Sequence, residues 1–239
     1  MTTRRDPTGG GAKPSIAHRP TRGFTLIELL IGIAIGLLIA AAASTFLAGN
    51  LRHSRSLLLE SRLMQDLRTA ADIIVRDLRR AGYWASAFEG VSVGGVAAVG
   101  VNPYAAIAPS GAASDSVSFS YSRDAVENDL VDSNEQFGFR LRNGALEMLL
   151  GATNWQALTD AGTLVVTAFR VTPTVQQVDL GAACPSACPP GSTTCPPRMS
   201  VRSVAVEISG RSATDGAVVR TVRSSVRLRS DPVIGSCAA

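Results

Sequence analysis

Residues 24–48 (FTLIELLIGIAIGLLIAAAASTFLA) are apolar throughout apart from one charge, and a periodic pattern follows them. Twenty-five helical residues at about 1.5 Å each span roughly 37 Å, which exceeds a hydrocarbon core of about 30 Å. The run therefore predicts a helix of membrane-spanning length. Beyond it Leu63, Leu67, Ala70, Ile74, Leu78 and Ala81 recur at steps of three and four, one apolar stripe on an amphipathic helix. Arg62/Asp66, Arg68/Asp72 and Asp72/Arg76 stand at i,i+4 spacing on the other faces. Arg79 and Arg80 suit the negative end of the helix dipole, and Gly82 suits the position just past the end. No proline falls between Thr21 and Asn102. The spacing predicts one continuous helix from Phe24 to about Ala81, apolar in residues 24–48 and amphipathic in residues 49–82.

From Tyr83 onward the chain reads as strands and loops. Residues 137–142, then Asn143-Gly144, then residues 145–150 predict a β-hairpin with a type I′ turn. Residues 117–121, 163–171, 201–209 and 218–229 predict further strands. In the last of these Val218, Val222, Val226 and Leu228 alternate with Thr221, Arg223, Arg227 and Arg229, so one face is buried and the other wet. The helical stripe supplies a cover for that face. The expected fold is α+β: a long N-terminal helix packed on an antiparallel β-sheet, with residues 83–239 as a β-rich domain outside the membrane.

Charge changes the picture at one end of the chain. The 239 residues carry a formal +4 and a pI near 9.2, which suggests a partner such as nucleic acid. Yet residues 1–23 hold five basic side chains against Asp6, and the rest of the chain balances. No basic domain remains to coat DNA or RNA, and no direct nucleic-acid binding is expected. Rich in Gly, Pro, Arg and Thr, residues 1–23 cannot pack a core and read as a basic leader. With basic residues before the apolar run and none behind it until Arg52, the N-terminus is expected to stay cytoplasmic. Residues 83–160 are net −6, residues 161–239 net +4 and residues 24–82 net +2.

Glu28 is the one charge within the apolar run. Even permissive insertion scales charge about 2.5–3.5 kcal/mol for an Asp at mid-membrane, less near the edge, so an idle anchor would be better without it. A secretory signal cut near Ala41-Ala42-Ala43 has no need of the helical continuation that follows. Glu28 lies one turn from Phe24, where it can offset the positive end of its own helix or of a neighbour. A pair between subunits would offset the cost of the carboxylate and set axial register.

The segment Gly23-Phe24-Thr25-Leu26-Ile27-Glu28-Leu29-Leu30 resembles the class III, prepilin peptidase signal of type IV pilins and of the pseudopilins of type II secretion. Asp77-Leu78-Arg79-Arg80-Ala81-Gly82-Tyr83-Trp84 resembles the PilW type of minor pilin, and Val226-Arg227-Leu228-Arg229 resembles the family's C-terminal strand. The resemblance implies cleavage after Gly23, N-methylation of Phe24 and a subunit-assembly role for Glu28. It also implies a minor pilin acting in type IV pilus assembly, at initiation or near the tip. The head would be periplasmic, the anchor in the inner membrane, and the final location the pilus or cell surface. Its partners would be prepilin peptidase, other minor and major pilins met through the N-terminal helix, and a tip adhesin. A minor pseudopilin of type II secretion is the alternative, and an exported or membrane-anchored binding protein is a second.

Four cysteines, Cys184, Cys188, Cys195 and Cys237, lie late in the chain. Their C-x3-C-x6-C spacing lacks the C-x2-C pairs of common zinc sites, and the expected topology places them where disulfides persist. Two disulfides are expected among three possible pairings; a bridge from Cys237 to the Pro-rich loop 184–197 would tie down the C-terminus. Asp124, Glu127, Asp129, Asp132 and Glu135 form a carboxylate-rich run without the glycine or spacing of an EF-hand, read as a solvated acidic loop in preference to a calcium site. Outside the leader there is one histidine, His53, and no lysine, and no hydrolase, zincin or phosphate-loop pattern appears. No enzyme activity, cofactor or metal is expected.

Overall fold

The computed structural model describes residues 23–90 and 100–238. The expected leader lies outside them except for Gly23. The chain divides into two compact units, one ending at Arg52 and the other starting at His53. Helix α1 runs Leu26–Leu78. Its stripe residues Leu63, Leu67, Ala70, Ile74 and Leu78 are buried as predicted, joined by Ala71. The regular helix stops three residues short of the predicted Ala81. Its last turn tightens, with Arg80 N–H donating to Asp77 O and Ala81 N–H to Leu78 O, the i→i−3 pattern common at helix ends. Gly82, at φ 77°, then reverses the chain and its N–H donates to Ser120 O. A Cβ there would stand 2.9 Å from Ser230 Cβ. The three i,i+4 charge pairs anticipated on α1 do not close into ion pairs among the described residues, as expected for solvated side chains whose pairing barely offsets lost rotamer freedom.

Two antiparallel sheets stand where one was predicted. The first has the order β1 (Ile107–Ala108), β2 (Ser116–Ser120), β3 (Gln136–Arg142), β4 (Ala145–Leu150) and β5 (Trp155–Ala157). The second is built from β6 (Leu164–Asp179), β7 (Arg198–Ser212) and β8 (Val219–Arg227), with β9 (Val233–Ile234) also on β7. The β3–β4 hairpin turns as expected, Asn143 and Gly144 both having positive φ (52° and 76°). A Ser114–Val171 bridge and the Val166 N–H to Gly144 O bond join the sheets. β6 and β7 are far longer than their apolar cores of residues 163–171 and 201–209 suggested, because each strand is the other's ladder partner through 15 registered pairs. The proline inside β6, Pro173, is tolerated on a strand with one ladder neighbour in its sheet.

Both sheets and the second half of α1 share one core. Leu67, Ile74 and Leu78 pack with Phe119, Phe137 and Phe139 of the first sheet and Val204, Val206 and Ile208 of the second. In β8 and the residues after it, Val226 and Leu228 are buried and Arg223, Arg227 and Arg229 exposed, as the alternation predicted. Burial of one apolar face of each element on the others is the main stabilising term.

Candidate functional site: helix start, carboxylate loop and disulfide-bonded loop

At the helix start Thr25 and Glu28 form a reciprocal cap. Thr25 N–H and its hydroxyl donate to Glu28 Oε2 at 3.0 and 2.9 Å, and Glu28 N–H donates to Thr25 Oγ1 at 3.3 Å. This is a capping box, and the sequence signal for it is the T-x-x-E spacing of Thr25 and Glu28. Among the described residues nothing donates to Glu28 Oε1. Phe24 is 90% exposed, and Leu26, Ile27, Leu29 and Leu30 are exposed as well. α1 is long and apolar enough to cross a membrane, and none of its most apolar stretch is buried among the described residues. A Cβ at Gly23, Gly32 or Gly36 would meet nothing within 4 Å. Among the described residues no packing contact requires glycine at those positions.

The acidic run is not a simple solvated loop. Glu135 is fully buried, with Oε1 accepting from Arg123 N–H at 2.7 Å and Oε2 from Asp132 N–H at 3.0 Å and Tyr104 O–H at 3.1 Å. Glu127 accepts from Tyr104 O–H at 2.9 Å, Asp129 N–H at 3.0 Å and Ala85 N–H at 3.3 Å. Asp129 accepts from Trp84 Nε1–H at 2.7 Å. The carboxylates thus staple residues 122–135 to the segment that follows α1, supplying acceptors to backbone donors that would otherwise be orphaned. Tyr104, also fully buried, was not singled out by its sequence. Its hydroxyl stands among Glu127, Glu135 and the Leu130 carbonyl. Burial first, then the two carboxylates, hold the phenol well above its ordinary value of 10.0.

Carboxylate oxygens of Asp124, Asp132 and Glu135 lie within 4.8 Å of one another. Asp124 is pushed up by partial burial and by the charges of Glu135, Asp132 and Glu127. Both Glu135 oxygens already serve internal donors, so the geometry accounts for the cluster as a staple. For Glu127, burial raises the carboxyl pKa, but hydrogen bonds from Ser122, the Asp129 backbone, Tyr104 and the Ala85 backbone outweigh it and hold the pKa below the ordinary 4.5. A depressed carboxyl pKa contributes stability at neutral pH that is lost as pH falls through the folded value. Glu127→Gln is therefore expected to lower Tm at pH 7, and the gap to wild type should narrow as pH falls below 4.5. Thermal melts at pH 7 and through the acid range check this, and a gap that does not change with pH would contradict it.

The four cysteines pair as Cys184–Cys237, with Cα atoms 5.3 Å apart, and Cys188–Cys195, with Cα atoms 5.5 Å apart. The first ties the C-terminus to the Pro-rich loop, and the second closes a small ring inside it. Among the described residues no cysteine is free. His53 is exposed on α1.

The uncovered apolar helix, its capped acidic start and the head of antiparallel sheets define a type IV pilin-like protein with a class III signal, and the prokaryotic N-terminal methylation motif matches residues 18–44. The model of the family described as Prepilin peptidase-dependent protein B matches residues 56–228, and the chain belongs to that family. The chain is also similar to the Prepilin peptidase-dependent protein B of Escherichia coli (strain K12), 28% identical over 161 residues, which cover 63% of this chain and 76% of that one. No solved structure matches. Family membership implies processing by prepilin peptidase and association with a pilus system, and the N-terminal helix is compatible with anchoring in the inner membrane.

Proposed function

We propose that this chain is a minor pilin of the PilW type, a structural and non-enzymatic subunit that takes part in type IV pilus assembly at initiation or near the tip. It is made as a prepilin, cut after Gly23 on the cytoplasmic side and N-methylated on Phe24. The head is exposed in the periplasm until the subunit enters a pilus. The observation that supports the reading is the helix start: a glycine whose Cβ position meets no described residue, followed by an apolar first half of α1 whose one carboxylate, Glu28, has an oxygen to which no described residue donates. In a bundle of such helices Glu28 Oε1 meets the Phe24 amine of a neighbouring subunit, which offsets the cost of the carboxylate and sets axial register. Other minor and major pilins, prepilin peptidase and a tip adhesin are the partners in this reading.

Mass spectrometry of the mature protein tests the processing step. An N-terminus at methylated Phe24 is expected, and an intact leader or a start at Ser44 would remove the proposal. Glu28→Ala should leave membrane insertion intact and reduce co-purification of partner pilins. Undiminished co-purification contradicts the pairing, and co-purification with type II secretion components instead of pilins would reassign the chain as a minor pseudopilin.

A further inference from the structure

We infer that the cleft at the end of α1 is a docking site for a short carboxylate-rich segment of a partner polypeptide. The cleft, about 910 Å³ in volume, is lined by Arg76, Arg79, Arg80, Arg123 and Arg229, and no Asp or Glu lines it. Three of these arginines come from the end of the helix, one follows β2 and one follows β8, so the convergence is made by the tertiary fold. None of the five has an ion-pair partner within 4.0 Å among the described residues. Among the described residues Arg140, Arg220, Arg223 and Arg227 are each paired with a carboxylate, and what sets the cleft apart is that five arginines without such a partner line one cavity. The carboxylate of Asp77, which faces the charges of Arg80 and Arg76, and the negative end of the α1 dipole, whose effect fades within one turn, offset only part of five like charges.

Two of the guanidinium groups are held in place. Arg80 lies over the Tyr121 ring at 5.2 Å and Arg123 over the Phe137 ring at 5.7 Å. Those two rings stack on each other, 4.2 Å apart and 8° from parallel. Arginines placed on a rigid aromatic stack lose little freedom on binding; Arg123 also donates one guanidinium N–H to Asn134 O at 3.4 Å, which leaves its other donors for a carboxylate. Tyr83 and Trp84 add aromatic wall to the same cleft, suited to the apolar stems that carry carboxylates in a peptide.

The surroundings favour a short acidic peptide over an extended polyanion. Trp84 lines the cleft and donates to Asp129, and Ala85 donates to Glu127, so the chain's own acidic run borders the arginines. A phosphate backbone or an anionic membrane surface continuing past the cleft would meet that run and be repelled. A segment a few residues long would not. The inference rests on the cleft alone and holds whether or not the chain enters a pilus.

The test uses the full chain in neutral detergent micelles and the fluorescence anisotropy of a labelled dodecapeptide in which Glu alternates with Ala. Saturable binding at low salt is expected, with a Gln-for-Glu version of the peptide binding at least about ten-fold more weakly. Arg79→Gln/Arg229→Gln, both exposed and unpaired, should weaken binding by about ten-fold or more, while Arg142→Gln/Arg170→Gln, equal in charge change but outside the cleft, should stay within about two-fold. Equal losses in the two double variants overturn the inference, because the peptide would then be reading net charge. Equal binding of the Gln peptide overturns it without any change to the protein. Stronger competition by a single-stranded oligonucleotide or by phosphatidylglycerol vesicles than by unlabelled Glu peptide would also overturn it.

Discussion

Glu135→Ala is expected to destabilise the head by about 2–6 kcal/mol, because it orphans two backbone donors at about 1–3 kcal/mol each. Those donors are Arg123 N–H and Asp132 N–H, which reach opposite oxygens of one buried carboxylate. The nearly isosteric Glu135→Gln separates this effect from simple loss of volume. Whichever way the amide is turned, its NH2 points a donor at a backbone donor, so about 1–3 kcal/mol is lost although the shape is kept. Tyr104 retains Glu127 and the Leu130 carbonyl as acceptors, so its hydroxyl is not orphaned in either variant. Chemical denaturation of wild type and both variants measures the order Ala below Gln below wild type. A Gln variant as stable as wild type would show that Glu135 fills space and does not hold the loop.

Cys184→Ser/Cys237→Ser should cost about 4 kcal/mol, against about 2.5 kcal/mol for Cys188→Ser/Cys195→Ser, from the chain entropy that each closed loop removes from the unfolded state. The sequence separations are 53 and 7 residues, which sets the order. The larger bridge also holds the C-terminal segment beside β7, where β9 pairs with Arg198 and Met199. Its removal is therefore expected to raise amide exchange at Val233 and Ile234 before global unfolding, whereas removal of the smaller bridge should leave these amides protected. Denaturant midpoints with and without reductant, together with hydrogen exchange at those two residues, test both the ordering and the locality. A larger loss from the seven-residue bridge would show that strain or residual unfolded-state structure outweighs loop length.

Both predictions concern features that are only partly visible in the chain as a string. Four cysteines expected outside the cytoplasm imply two bridges but leave all three pairings open, since pairing depends on which Cβ atoms the fold brings together. The acidic run is visible too, and reads as solvated because Asp and Glu are rarely fully buried unless partnered. Some of its partners are near in sequence, Asp132 three residues from Glu135 and Asp129 two from Glu127. Others are distant: Tyr104 is 31 residues from Glu135, Ala85 is 42 from Glu127, and Trp84 is 45 from Asp129. No local pattern announces those long-range pairs.

The elements that were legible depend on neighbours a few residues away. Leu63, Leu67, Ala70, Ile74 and Leu78 form a stripe through the 3.6-residue period alone, and Asn143-Gly144 turns the hairpin because both residues accept positive φ. The Thr25–Glu28 cap lies within a single turn. Local pattern therefore fixes a long helix with an apolar first half and an antiparallel β-rich head, and the resemblance carried by Gly23–Leu30 adds a prepilin-type start. Only the tertiary structure divided the strands into two sheets, extended β6 and β7 along each other, chose the cysteine partners, buried Glu135 and gathered five arginines into one cleft. The physical reason is range: propensity, periodicity and turn chemistry act over one to four residues, whereas the partner of a buried charge or a thiol is settled by which distant segments the shared core brings into contact.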